Sequence, residues 1–228
     1  MKKLKLLGTL CFAILLTACS SDDSSSSDPS VNNDDYLYFI SGKVNGESFV
    51  YGQLESATTA DYYLSLSGNS ITTTCAYYPD TGGLNYAIGV YPEFETENRP
   101  SMSFDFIRFY LCGSEESASQ TFNDAFPVSY YDYAVSDHVV SGSTGDVSAQ
   151  FTFDSTGDVY YSSLGGDQTG STFEITSSVN NNVTFGAQTL QIEQLLEGNF
   201  TMKLYNVDDP SDVIEITDGQ FKLPIPFD

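Results

Sequence analysis

Beyond residue 35 the chain alternates apolar and polar side chains in short runs, the period expected of strands with one buried face. Tyr36–Val44 is rich in aromatic and β-branched residues and ends at Asn45-Gly46, a pair suited to a tight hairpin turn. Phe49-Val50-Tyr51 is then the returning strand. Residues 62–67 alternate and stop at Gly68-Asn69. Residues 71–78 follow as far as Pro79-Asp80-Thr81-Gly82-Gly83, and 85–91 end at Pro92. Residues 102–112 form the longest aromatic strand, with Met102, Phe104, Phe106 and Tyr110 on one face and Ile107, Phe109 and Leu111 on the other. Two apolar faces place it centrally in a sheet. A short helix is predicted within 114–124. Further strands are predicted at 129–135, 147–154, 159–163, 171–178, 198–206, 213–217 and 220–225.

Turn signals recur at Ser141-Gly142, Thr156-Gly157, Gly165-Gly166 and Asp218-Gly219, and no long amphipathic helix interrupts them. The expected fold is all-β: an antiparallel β-sandwich in one domain over residues 36–228, with Phe104, Phe106, Phe200 and Phe221 in its core. A closed β-barrel is the alternative. Residues 113–119 are the best place for a domain break, which ranks below a single domain.

The N-terminus carries an address. Lys2, Lys3 and Lys5 precede an uncharged apolar run over 6–16, shorter than the ~20 residues that span a bilayer as a helix. Leu16-Thr17-Ala18-Cys19 resembles the lipobox of bacterial lipoproteins. That resemblance implies a signal peptide over 1–18, cleavage before Cys19, and diacylglycerol and an acyl chain such as palmitate on Cys19. Residues 19–35 are a lipidated Ser/Asp-rich flexible tether. Ser20 resembles the pattern of outer-membrane sorting, and Asp22-Asp23 resembles the surface-export signal of Bacteroidota lipoproteins. The location so implied is the outer membrane, lipid-anchored and exposed at the cell surface.

Charge narrows the partners. The 228 residues hold 8 Lys+Arg against 31 Asp+Glu, net −23. Loss of residues 1–18 removes three lysines and no acid, so 5 basic face 31 acidic residues, net −26. Nucleic acid is excluded, because its binding relies on Lys and Arg at phosphates. An anionic membrane repels such a chain, so lipid must do the anchoring. Of four cysteines, Cys11 leaves with the signal and Cys19 is lipidated. Cys75 and Cys112 remain, 37 apart, and outside the cytoplasm an even remainder favours a disulfide. It would contribute roughly 3–4 kcal/mol by loop closure; two buried thiols are the alternative. With no C-x-x-C pair, redox catalysis and a zinc knuckle lack support.

Two stretches resemble Bacteroidota lipoproteins with domains of unknown function: Ile40-Ser41-Gly42-Lys43-Val44-Asn45-Gly46-Glu47-Ser48-Phe49, and the closing strands with Gly198-Asn199-Phe200 and Gly219-Gln220-Phe221. In both Gly-x-Phe units the glycine permits close approach, and the aromatic two places on enters the core. The resemblance implies a β-sandwich and no catalytic residue.

Candidate chemistry is sparse. Asp80-Thr81-Gly82 has the letters of an aspartic-protease triplet, but it occurs once and reads better as a turn. His138 is the single histidine, and no G-x-S-x-G elbow is present. Histidine–cysteine metal sites fail on counting. Asp208-Asp209-Pro210-Ser211-Asp212 and Asp154-Ser155-Thr156-Gly157-Asp158 could offer oxygens to Ca²⁺, with Asp208, Asp209 and Asp212 the better set. Neither matches an EF-hand, and no metal or other cofactor is expected. Tyr130-Tyr131-Asp132-Tyr133 could stack on a sugar, or else cover the sandwich with one face in and one out; the absence of Trp weighs against sugar. Asn182-Val183-Thr184 and Asn199-Phe200-Thr201 fit the N-glycan sequon incidentally, and Asp154-Ser155-Thr156 resembles a Bacteroidota O-glycosylation acceptor. The expected function is a non-enzymatic cell-envelope lipoprotein displaying a β-sandwich to a protein or glycan ligand. A glycan-binding lipoprotein of a polysaccharide-uptake system is the alternative.

Overall fold

A computed structural model describes residues 33–56, 62–72, 81–92, 100–111, 124–135, 146–153 and 159–227. Cys19, Cys75, Cys112, His138, Asp80, the acidic turn 154–158 and most of the helix predicted within 114–124 lie outside the described residues.

Among these residues twelve strands follow a 3₁₀ turn at Asn33–Asp35: β1 (Tyr36–Val44), β2 (Glu47–Leu54), β3 (Tyr62–Thr72), β4 (Thr81–Pro92), β5 (Ser101–Leu111), β6 (Ser129–Tyr131), β7 (Val147–Thr152), β8 (Tyr160–Ser162), β9 (Thr172–Asn180), β10 (Val183–Phe185), β11 (Gln188–Asn206) and β12 (Val213–Phe227). Among the described residues every ladder is antiparallel, with one isolated parallel bridge between Tyr133 and Val147. The neighbours run β2-β1-β12-β11-β8-β7-β5-β4-β3, with β9 and β10 also pairing β11 and β6 pairing β9. The end strands β2 and β3 approach each other, so the sheet curls almost closed over one core. Sandwich and barrel both describe this all-β architecture.

Asn45 (φ 50°) and Gly46 (φ 90°) adopt the left-handed turn that their residue types favour, and β1 pairs back on β2. β5 is hydrogen-bonded on both sides, to β4 and β7, and Met102, Phe104 and Phe106 enter the core. Three punctuation signals behave otherwise than expected. Gly68-Asn69 lies inside β3, where the register slips between Ser67 and Ser70. Thr81-Gly82 opens β4 instead of making a turn. Asp218-Gly219 interrupts nothing: β12 is one strand, and both its ladders, to β1 and to β11, slip at this point. Asp218 takes φ 53°, so the left-handed preference of an Asp-Gly pair makes a bulge where neighbours hold both edges. β11 begins ten residues before the expected 198, and β10 had no sequence signal of its own.

The core is aromatic. Phe104, Phe106, Phe200 and Phe221 are each at most 1% exposed. The Phe104 ring meets Phe173, Phe200 and Phe221 at centroid distances of 5.3, 5.2 and 5.4 Å. The two Gly-x-Phe units interlock, with Gly198 opposite Phe221 and Phe200 opposite Gly219. A Cβ on Gly198 would lie 2.5 Å from the Phe221 ring, and one on Gly219 2.5 Å from the Phe200 ring. Each ring therefore covers the bare backbone of the glycine across from it, a pairing that only glycine admits.

Candidate functional site

The alternation that sends Phe200 and Phe221 inward sends the middle residue of each Gly-x-Phe unit outward. Asn199 and Gln220 are direct cross-strand partners on the outer face. The register extends this row over five strands: Ser41 on β1, Gln220 on β12, Asn199 on β11, Glu174 on β9 and Tyr130 on β6. Four strand spacings make it about 19 Å long.

The 3₁₀ turn before β1 overhangs one end of the row. Residues 33–35, expected to close the tether, are tied to the sheet: Asn33 Nδ2 donates to Gln220 Oε1 at 2.8 Å and to Ser41 Oγ at 3.1 Å. Beneath the overhang runs a groove of about 240 Å³, walled by Asn33, Asp34 and Phe39 on one side and Thr176, Glu197 and Asn199 on the other, with Gln220 and Lys222 between. Gly198 lines it too, and a Cβ there would meet the Glu174 carbonyl and the Phe221 ring. Glu197 and Lys222 are cross-strand partners. A bulge in β9 turns the Thr176 hydroxyl onto the Glu197 carbonyl at 3.2 Å.

One atom in this wall is unspent. Asn33 Oδ1 is buried and has no hydrogen-bond partner in the protein, the one such side-chain atom among the described residues. A buried amide oxygen without a donor costs about 1–3 kcal/mol, which a ligand N–H or O–H would recover. The groove thus offers amide donors and acceptors, a cation, carboxylates and an acceptor in need of a donor. It can bind a small polar group by hydrogen bonds.

The sequence candidates fall elsewhere. Asp208, Asp209 and Asp212 sit in the loop joining β11 to β12, and carboxylate oxygens of Asp209 and Asp212 are engaged in shaping it. Asp209 Oδ1 accepts from Ser211 N at 3.1 Å and Ser211 Oγ at 2.6 Å. Asp212 Oδ2 accepts from the Tyr161 hydroxyl at 2.7 Å and Asn206 Nδ2 at 3.1 Å. The Ser211 bonds hold the Asp209 carboxyl below its usual range, and the Asp212 bond pushes the Tyr161 hydroxyl up. Among the described residues no three His, Cys, Asp or Glu side chains converge as a metal shell. The tyrosine cluster divides by alternation: Tyr130 and Asp132 are exposed, while Tyr131 is buried and Tyr133 is half-buried. Tyr131 and Tyr133 meet Phe173 edge-on, and the Tyr133 hydroxyl donates to the Thr172 and Thr201 carbonyls. Only Tyr130, 69% exposed, is left as a stacking surface, at the far end of the polar row. Asp105 on β5 is the described acid pushed up by burial, eased by the Ser148 hydroxyl, and it does not line the groove.

The sequence reading missed the groove, although Gly-Asn-Phe and Gly-Gln-Phe each carried its signal in the amide between glycine and aromatic. No protein-family model, curated protein or solved structure matches the chain.

Proposed function

We propose that this protein is a lipid-anchored cell-envelope protein that displays its β-domain as a binding module and performs no catalysis. The anchor rests on Cys19 behind its lipobox-like segment, in the manner of Bacteroidota surface lipoproteins. The single observation that carries the binding role is the amide-lined groove with the unpartnered Asn33 oxygen. A glycan is the ligand class this favours. Sugar hydroxyls both donate and accept, as Asn33, Asn199 and Gln220 require, and the row ends on an exposed tyrosine ring.

Palmitate labelling in cells tests the anchor: Cys19→Ala should abolish incorporation and release the protein from the membrane fraction. Calorimetric titration against soluble polysaccharides tests the groove. Asn33→Ala and Asn199→Ala should each weaken binding about tenfold, the scale of one lost hydrogen bond to a polar ligand. Folded protein that binds no polysaccharide removes the glycan reading. Hydrolysis of one, lost on mutating two acids, replaces the binding module with an enzyme.

A further inference from the structure

We propose that the β10–β11 hairpin is a keel that dips into the lipid headgroup region and sets the orientation of the tethered domain; this rests on lipidation of Cys19. Residues 175–192 contain no charged side chain, 18 residues without one in a chain of net charge −23. Within this stretch β10 folds back on the start of β11 around Gly186 (φ 62°). Phe185 is 76% exposed and Leu190 64%, and Val179 and Val183 are also exposed.

The register shows what else lies at this end of the sheet. Tyr36 pairs with Leu54, and three residues on Phe39 pairs with Lys222, which sets the start of β1 level with Ile225. Ile225 pairs with Gln194, and Gln194 with Asn180. Exposed Leu37 and Leu54 therefore stand at the same end as the hairpin. The opposite end also exposes valines, Val207 and Val213, but they flank Asp208, Asp209 and Asp212. The hairpin carries no charge of its own, whereas Leu37 and Leu54 stand beside Asp34, Asp35 and Glu55, so the hairpin leads any approach to anionic headgroups. Aromatic and aliphatic side chains on a neutral tip suit the interfacial zone. A second copy of the chain is disfavoured as occupant, because both carry the same large negative charge.

The tether reaches. Gln188 lies 11 residues along β11 from Asn199, or about 37 Å. Cys19 is 14 residues before Asn33, which bonds to the Asn199 partner Gln220, and that length extends to roughly 48 Å. Held this close to the bilayer by lipid, a contact too weak to anchor alone is populated by effective concentration.

The chain has no Trp, so one introduced residue reports alone. The full-length lipidated Phe185→Trp protein is reconstituted in phosphatidylcholine vesicles, with Tyr130→Trp as the comparison. Emission from F185W should shift to the blue and lose most of its intensity to lipids brominated on the acyl chain, while Y130W stays water-like and unquenched. Lipid on Cys19 with F185W water-like and unquenched overturns the keel alone. A blue shift of F185W that needs another envelope protein and is absent in pure lipid also overturns it, in favour of a protein partner. Absence of lipid on Cys19 overturns the keel and the anchor together.

Discussion

Asp105 shows how one residue can work against the fold that holds it. Its neighbours on the outer face of β5 and β7, Ser103 and Ser148, are buried, so its carboxylate loses water and, among the described residues, gains only the Ser148 hydroxyl at 3.5 Å. Burial raises its folded pKa above the unfolded value near 3.8. The unfolded chain therefore ionises first, and stability falls as pH rises through the interval between the two values and stays reduced above it. Asp105→Asn keeps an acceptor for Ser148 and carries no charge. It should raise the melting temperature at pH 7 by ~2–4 °C, about 1 kcal/mol, with the gain vanishing below pH 4. Calorimetry at pH 3.5 and 7 checks the sign. The core phenylalanines were legible from alternation alone, and Ile107, Phe109 and Leu111 marked the far half of the other face as apolar; burial of its near half was not legible, because Ser101, Ser103 and Asp105 are polar.

Among the elements, the β11–β12 hairpin carries both the core and the groove. Gly198→Ala places a Cβ 2.2 Å from the Glu174 carbonyl and 2.5 Å from the Phe221 ring. Overpacking of this kind costs about 1–3 kcal/mol, and urea unfolding should show a lower midpoint at unchanged slope. Phe200→Ala should cost more, ~3–5 kcal/mol, because it leaves a cavity and uncovers Gly219. At the other end of the hairpin, Tyr161→Phe keeps the buried ring and loses the hydroxyl bond to Asp212; a cost of about 1 kcal/mol is expected. The hairpin's existence was legible from Gly-x-Phe spacing. Its length was not, since Gln188, Gln191 and Gln194 break the apolar pattern and only pairing with β9, β10 and β12 makes strand of them.

For the molecule as a whole, like charge dominates. With 31 acids against 8 basic residues, of which three lie within residues 1–18, the folded state is compressed against its own repulsion. Salt shortens the screening length from about 30 Å at 0.01 M to 8 Å at 0.15 M, so the melting temperature should rise across that range. Thermal unfolding followed by circular dichroism measures it. A flat or falling curve would mean that salt-sensitive attractions, such as the exposed Lys43–Asp218 pair, outweigh the repulsion.

The amino-acid sequence by itself determined which side chains face the core, because alternation along a strand is a local property that Phe104, Phe106, Phe200 and Phe221 carry in their spacing. It determined the Asn45-Gly46 turn for the same reason, a conformational preference held by two adjacent residues. Tertiary structure alone decided what Asp218-Gly219 would be: the same local preference yields a bulge once β1 and β11 hold the strand from both edges. It alone decided the groove as well. Asn33, Asn199 and Gln220 are separated by up to 187 residues, and only the register of β1, β12 and β11 brings their amides to one place.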